Sequence, residues 1–278
     1  MPVSSPPRVV VLIGVLVTGL GFVVGAVGGA RVLLARQAAT ARRLIGKPLG
    51  ERAPDADRVW KKSYGDPLDL LVLGDSIAAG LGAERRKDTL GGRLARGLAR
   101  SLQRSVRLRT AAVVGSESSA LAGQLEALPS DYAPDLAVIV VGGNDVTHRV
   151  PVATSAGHLE AAIAQLRERG AEVVVGTCPD LGALRPVPQP LRSLGSRMSR
   201  QLAAAQAAAA VRSGAHAVSL AHVVGPFFIT NPEEMFSLDR FHPSALGYKR
   251  TAKALLPSML TALGERDEVP FGHRPPAS

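Results

Sequence analysis

The residues best suited to chemistry lie in four short stretches: Gly74-Asp75-Ser76-Ile77, Val113-Val114-Gly115-Ser116, Gly142-Gly143-Asn144-Asp145 and Asp239-Arg240-Phe241-His242-Pro243. A serine hydroxyl becomes a nucleophile when a neutral imidazole can take its proton. The imidazole does this best when a carboxylate fixes its tautomer and stabilises the imidazolium that forms. Asp239 and His242 are three residues apart and can meet within one turn, so this pair would supply base and orienting acid. Ser76 follows an apolar run, where a strand gives way to the next segment and a hydroxyl can be exposed at the rim of a sheet. Gly115 lets a backbone N–H approach a ligand with no side chain in the way, and the Asn144 amide offers a donor to developing negative charge. Each piece also has a plain structural reading: Ser76 and Asp239 as helix caps, Asn144-Asp145 as a turn. The residues around Ser76 do not form the nucleophile elbow with glycine at both ends.

Positioning these residues requires a scaffold, and from Leu68 onward short apolar runs alternate with helical patterns, the signature of βα units around a parallel sheet buried on both faces. Five strands are expected, over Leu70–Leu73, Val106–Val114, Leu136–Val141, Val173–Gly176 and Ala217–Leu220. Leu90, Leu94, Leu98 and Leu102 form the buried stripe of one helix, and Leu159, Ile163 and Leu166 that of another. The alanine-rich run Gln201–Val211 and the segment Ser244–Leu263 read as further helices. In such a sheet the loops leaving the carboxyl ends of the strands carry function, and Ser76, Gly115 and Asn144 all fall there.

Taken together, the four stretches closely resemble the blocks of the SGNH hydrolases, or GDSL esterase/lipase family, in chain order from Leu70 to Tyr248. The resemblance implies a three-layer α/β/α sandwich with a parallel, flavodoxin-like five-stranded sheet. It also implies a serine esterase or lipase that cleaves acyl esters through Ser76, His242 and Asp239 and an acyl-enzyme intermediate. By the same resemblance the oxyanion would be held by the backbone N–H of Ser76, the backbone N–H of Gly115 and the side chain of Asn144. Ile77 stands where leucine names the family, and Glu117 lies close beside Gly115. An acyltransferase on the same fold and a catalytically inactive binding domain are the competing readings. No metal cluster, phosphate loop or dinucleotide fingerprint is present in the sequence, so no cofactor is implied. Among the other histidines, at 148, 158, 216, 222 and 273, only His148 is close enough in sequence to Asn144 to lie near the site. Cys178, the single cysteine, reads as a small buried residue.

The remainder of the chain bears on partners and place. A net charge of +10 would suit nucleic acid, but Arg8, Arg31, Arg36, Arg42, Arg43 and Lys47 lie in an acid-free first 50 residues, which leaves only +4 elsewhere. With 4% aromatics and no basic-aromatic interleaving, nucleic acid is not an expected partner. Val9–Ala30 carries no charge over 22 residues, enough to cross a hydrocarbon core, and reads as one transmembrane helix in preference to a secretory signal. The sequence thus predicts a single-pass membrane protein. The positive-inside rule would put the catalytic part in the cytoplasm, but the basic stretch could instead lie against anionic headgroups, so the side is left open. The expected organisation is an anchor and basic juxtamembrane segment over 1–47, a linker over 48–66, the hydrolase domain over 67–264 and a flexible tail over 265–278. The Pro-, Leu- and Arg-rich stretch Leu181–Met198 is the expected substrate loop. Together with the anchor it makes lipid or other acyl esters the leading substrate class, with short acyl or acetyl groups on carbohydrate left open.

Overall fold

Apolar residues in consecutive positions of a strand point to opposite faces, and a run without polar breaks must be covered on both sides. The computed structural model of the chain describes residues 28–276 and shows this arrangement. Helix α1 occupies residues 28–45 of the described chain. There follow β1 (Arg58–Trp60), β2 (Leu68–Gly74), α2 (Ser76–Ala79), α3 (Leu90–Leu102), β3 (Val106–Thr110), α4 (Leu121–Glu126), β4 (Leu136–Val140), α5 (Gly143–His148) and α6 (Val152–Glu168). The second half contains β5 (Glu172–Gly176), α7 (Leu191–Arg212), β6 (His216–Val218), three short helices α8 (Leu220–Val223), α9 (Gly225–Thr230) and α10 (Pro232–Met235), then α11 (Ala245–Ala262) and β7 (His273–Arg274).

The strands form one seven-stranded sheet in the order β1-β3-β2-β4-β5-β6-β7. Leu70 and Val72 of β2 and Val138 and Val140 of β4 face α3 and α11, where they meet Leu90, Leu94, Leu98, Tyr248 and Leu255. The alternate residues Leu71, Leu73, Ala137 and Ile139 face α4, α6 and α7 and meet Leu121, Leu125, Leu159, Ile163 and Ala210. The result is an α/β sandwich. Each fully buried leucine contributes on the order of 1.5–3 kcal/mol by leaving water, so register is held by both faces at once.

Two expectations about the architecture are corrected. The sheet is mixed: β2, β3, β4, β5 and β6 run parallel, while β1 pairs antiparallel with β3 and β7 antiparallel with β6. Three residues in the expected linker and two in the expected flexible tail supply these edges, runs too short for any periodicity to reveal. The second correction concerns the membrane. Val9–Ala30 lies outside the described residues except for Gly28, Gly29 and Ala30. Among the described residues no helix is long and apolar enough to cross a membrane. Helix α1 carries Arg31, Arg36, Arg42 and Arg43 and rests on the domain, with Ala41 buried and the Gln37 side chain accepting from Leu191 N–H at 3.0 Å. The anchor helix, the membrane as a partner and a single-pass membrane localisation are therefore set aside.

The expected substrate loop is also more ordered than its prolines suggested: Leu181–Ala183 is a 3₁₀ turn, and Leu191 begins α7, whose 22 residues extend well beyond the alanine run. Strand β3 ends at Thr110 instead of Val114, although Ala111 and Val113 still donate to Val72 and Gly74 of β2, at 2.9 and 3.1 Å.

Candidate active site

Three strand ends and one loop converge above the sheet. Gly74 closes β2 with φ 129°, and a Cβ there would stand 1.9 Å from the Val140 carbonyl oxygen, so only glycine lets β2 pass the end of β4 this closely. Asp75 then caps α2, accepting from Ile77 N–H at 2.9 Å. This frees Ser76 from a capping role and sets it as the first residue of the helix. Ser76 is buried yet lines an open groove that Gly115, Asn144, Asp239 and His242 also line.

His242 Nε2 lies 2.9 Å from Ser76 Oγ, and His242 Nδ1 lies 2.6 Å from Asp239 Oδ2. The other carboxylate oxygen of Asp239 accepts from Ser237 Oγ, Phe241 N–H and His242 N–H, each at 2.9 Å. Burial alone would raise the Asp239 pKa, but the hydrogen bonds from the His242 ring and from the two backbone N–H groups prevail and hold it below the ordinary carboxylate value. An ionised carboxylate can only accept, so Nδ1 carries the proton and the bare Nε2 of a neutral ring is the acceptor for the Ser76 hydroxyl. Asp239 does not cap α11; Ser244 does, accepting from Leu246 and Gly247 N–H.

Gly115 lies in the loop after β3 with φ 86° and open space where a Cβ would be. Asn144, in the first turn of α5, donates from Nδ2 to the Ser116 carbonyl at 2.9 Å. Its neighbour Asp145 is buried and accepts from Ser118 N–H at 3.0 Å and from Ser118 Oγ. The two side chains together tie the Gly115 loop to α5. Glu117 points elsewhere, pairing with exposed His148 at 2.6 Å, and His148 lines the groove. The arrangement can transfer a proton from a hydroxyl to an imidazole, the opening step of nucleophilic acyl transfer.

Comparison with known proteins gives the same reading of the scaffold. The sequence model of the GDSL-like Lipase/Acylhydrolase family matches residues 72–250. GDSL-like esterase Rv1075c of Mycobacterium tuberculosis is 40% identical over 258 residues, covering 89% of this chain and 82% of that protein. The chain belongs to the GDSL-like lipase/acylhydrolase family. It is a hydrolytic enzyme of the GDSL/SGNH type. Among solved structures, TesA is 27% identical with a TM-score of 0.53, covering 70% of this chain and 99% of its own. The esterase EstA from Pseudoalteromonas sp. shares the fold at 19% identity and a TM-score of 0.55, covering 70% and 98%.

Several side chains that position this GDSL-type site had no signal in the sequence. Gln124 of α4 is buried and clamps Gly74 from both sides, accepting from its N–H at 2.9 Å and donating to its carbonyl at 2.8 Å. Gln206 of α7 does the same between two strand ends, donating to the Val141 carbonyl at 2.9 Å and accepting from Cys178 N–H at 2.7 Å. Tyr248, fully buried in α11, donates to the Leu81 carbonyl at 2.6 Å, and Gly82 packs so closely on the His242 loop that a Cβ would meet the Pro243 carbonyl oxygen at 2.4 Å. These contacts fix the distance between the Ser76 and His242 segments. Asp75, beneath Ser76, has its pKa pushed up to about 6 by burial, against the Ile77 N–H and the nearby His242. Burial also raises the Cys178 thiol well above its ordinary value, so this cysteine is an apolar filler and no nucleophile. Among the described residues no group of His, Cys, Asp or Glu side chains is arranged to hold a metal ion.

Proposed function

We propose that this enzyme hydrolyses carboxylic esters with Ser76 as nucleophile, His242 as general base and then general acid, and Asp239 as the group that orients and stabilises the imidazolium. Ser76 Oγ attacks the ester carbonyl while its proton passes to His242 Nε2. The carbonyl oxygen becomes an oxyanion, held by the N–H of Ser76, the N–H of Gly115 and the Nδ2 of Asn144. Collapse of this intermediate expels the alcohol, which takes the proton from His242, and leaves an acyl group on Ser76. Water, activated by the same imidazole, then releases the acid.

The observation that carries this reading is the unbroken line of contacts from Ser76 Oγ to His242 Nε2 at 2.9 Å and from His242 Nδ1 to Asp239 at 2.6 Å. Family membership supports it, since the relative from Mycobacterium tuberculosis is named a GDSL-like esterase. The test is hydrolysis of p-nitrophenyl esters by the whole chain beside Ser76→Ala and His242→Ala, with fold checked by circular dichroism. Turnover that is lost in both variants is the expected result; turnover that survives either change overturns the assignment.

A further inference from the structure

Two spaces of very different size meet at Ser76. One is a groove of about 920 Å³ lined by helix α1, through Leu34, Ala38 and Ala41, and by the start of α7, to which α1 is hydrogen-bonded through Gln37. The other is a small cavity of about 70 Å³, walled by Ile77, Leu220, Val224, Phe228 and Phe236. Ser76, Asn144, Leu181, Leu184 and Phe241 border both. His242 and Asp239 border the groove and not the cavity.

That asymmetry decides which half of an ester goes where. When the tetrahedral intermediate breaks, the C–O bond to the alcohol is cleaved and the departing oxygen takes its proton from His242 Nε2, so the alcohol must lie on the side His242 faces. The oxyanion occupies the donors around Ser76, Gly115 and Asn144. The acyl substituent is left with the remaining direction, into the cavity. We propose, resting on the hydrolase reading above, that the cavity receives the acyl group and the α1 groove the alcohol, so that the substrates are short-chain acyl esters of large alcohols. The cavity has about half the ~150 Å³ of an apolar cavity able to hold benzene, which limits the acyl group to about two to four carbons. The groove has room for an alcohol many times larger. Helix α1 precedes the family-matched residues 72–250, so this wall lies outside the stretch that the family model matches and is a determinant of which alcohol is accepted.

The test varies the two halves of the ester separately on the whole chain. On the acyl axis, p-nitrophenyl acetate, butyrate, octanoate and palmitate are compared; on the alcohol axis, the butyrates of methanol and octanol. The expected result is a fall in kcat/KM of about tenfold or more from butyrate to octanoate, the scale on which a filled pocket rejects extra methylenes, with no fall from methyl to octyl butyrate. Phe228→Ala, or the milder Val224→Ala should the first fail to fold, enlarges the cavity and raises the octanoate-to-butyrate ratio by about tenfold. Ala38→Trp narrows the groove and lowers the octyl-to-methyl ratio, whereas Leu44→Trp, on an exposed part of α1, does not. A preference for octanoate or palmitate over butyrate, or an Ala38→Trp effect confined to the acyl axis, overturns the assignment while leaving the hydrolase reading intact. Absence of any Ser76-dependent turnover on every ester refutes the hydrolase reading itself.

Discussion

Replacing Asn144 separates the chemistry of this site from its architecture. The Asn144 amide has two N–H bonds; one is held by the Ser116 carbonyl at 2.9 Å, which fixes the plane of the amide and leaves the other for the groove that Asn144 lines. In Asn144→Ala both are lost. Removing one preorganised donor to an oxyanion typically lowers turnover by about 10²–10³, or ~2.7–4 kcal/mol of transition-state stabilisation. The structural loss is one partly buried hydrogen bond, about 1 kcal/mol, which for a domain of this size lowers Tm by about 2–4 °C. Steady-state kinetics on a p-nitrophenyl ester and a thermal melt on the same sample read the two numbers independently. The expectation is a kcat lower by about 10²–10³ with KM little changed and the melt nearly intact, because the donor acts where charge develops and not on the ground state. Asn144→Asp, which keeps the shape but replaces the donor with an acceptor, should lose at least as much. A folded Asn144→Ala enzyme within about threefold of wild-type kcat would remove Asn144 from the oxyanion site, since losing such a donor typically costs about 10²–10³.

Other perturbations follow from the same geometry. Asp239→Asn presents an amide donor to His242 Nδ1 and enforces the wrong tautomer, so kcat should fall by about 10⁴ with the fold retained. Because the Asp239 pKa is lowered in the folded chain, the stability that its charge contributes is present above the ordinary carboxylate pKa and is lost as pH falls through the lowered value; denaturation of wild type and variant should converge only in acid. Gln124→Leu orphans the buried Gly74 N–H, while the Gly74 carbonyl still accepts from Val113 N–H; a loss of about 1–3 kcal/mol in urea unfolding is expected, and a change below ~0.5 kcal/mol would show that the clamp is dispensable. His216 has its pKa lowered by burial, so the neutral ring it requires is fully available only above its ordinary value of about 6.5, and folding stability is lost as pH falls below that. His216→Gln removes this term, so the drop in Tm between pH 7.5 and 5.5 should be smaller in the variant than in wild type.

The parts of this account that were legible in the sequence are those carried by local pattern. The strand β4 announces itself by five consecutive apolar residues buried on both faces, and α3 by a leucine every four positions. Asp239 and His242 are neighbours in the chain, so their pairing needs no knowledge of the fold. Contacts across long loops left no trace. Gln124 and Gly74 are separated by 50 residues, Gln206 and Val141 by 65, and Tyr248 and Leu81 by 167, and a buried glutamine or tyrosine has no periodic signature. The edge strands β1 and β7 have three and two residues, below any useful window. Helix α1 reads as a basic segment because its four arginines are balanced by no acid, while half of the residues it turns to the groove are alanine, a weak hydrophobic signal. Pro188 and Pro190 suggested a loop through Met198, yet proline is well tolerated just before a helix, and α7 starts at Leu191.

Covalent labelling reports on the nucleophile itself, independently of any substrate. The whole chain is treated with a fluorophosphonate, and the modified residue is located by peptide mass spectrometry, beside Ser76→Ala and His242→Ala. With Ser76 as nucleophile, a single adduct forms on Ser76, absent from the first variant and formed far more slowly in the second. An adduct on another serine, or none on a folded wild-type protein, would contradict that role.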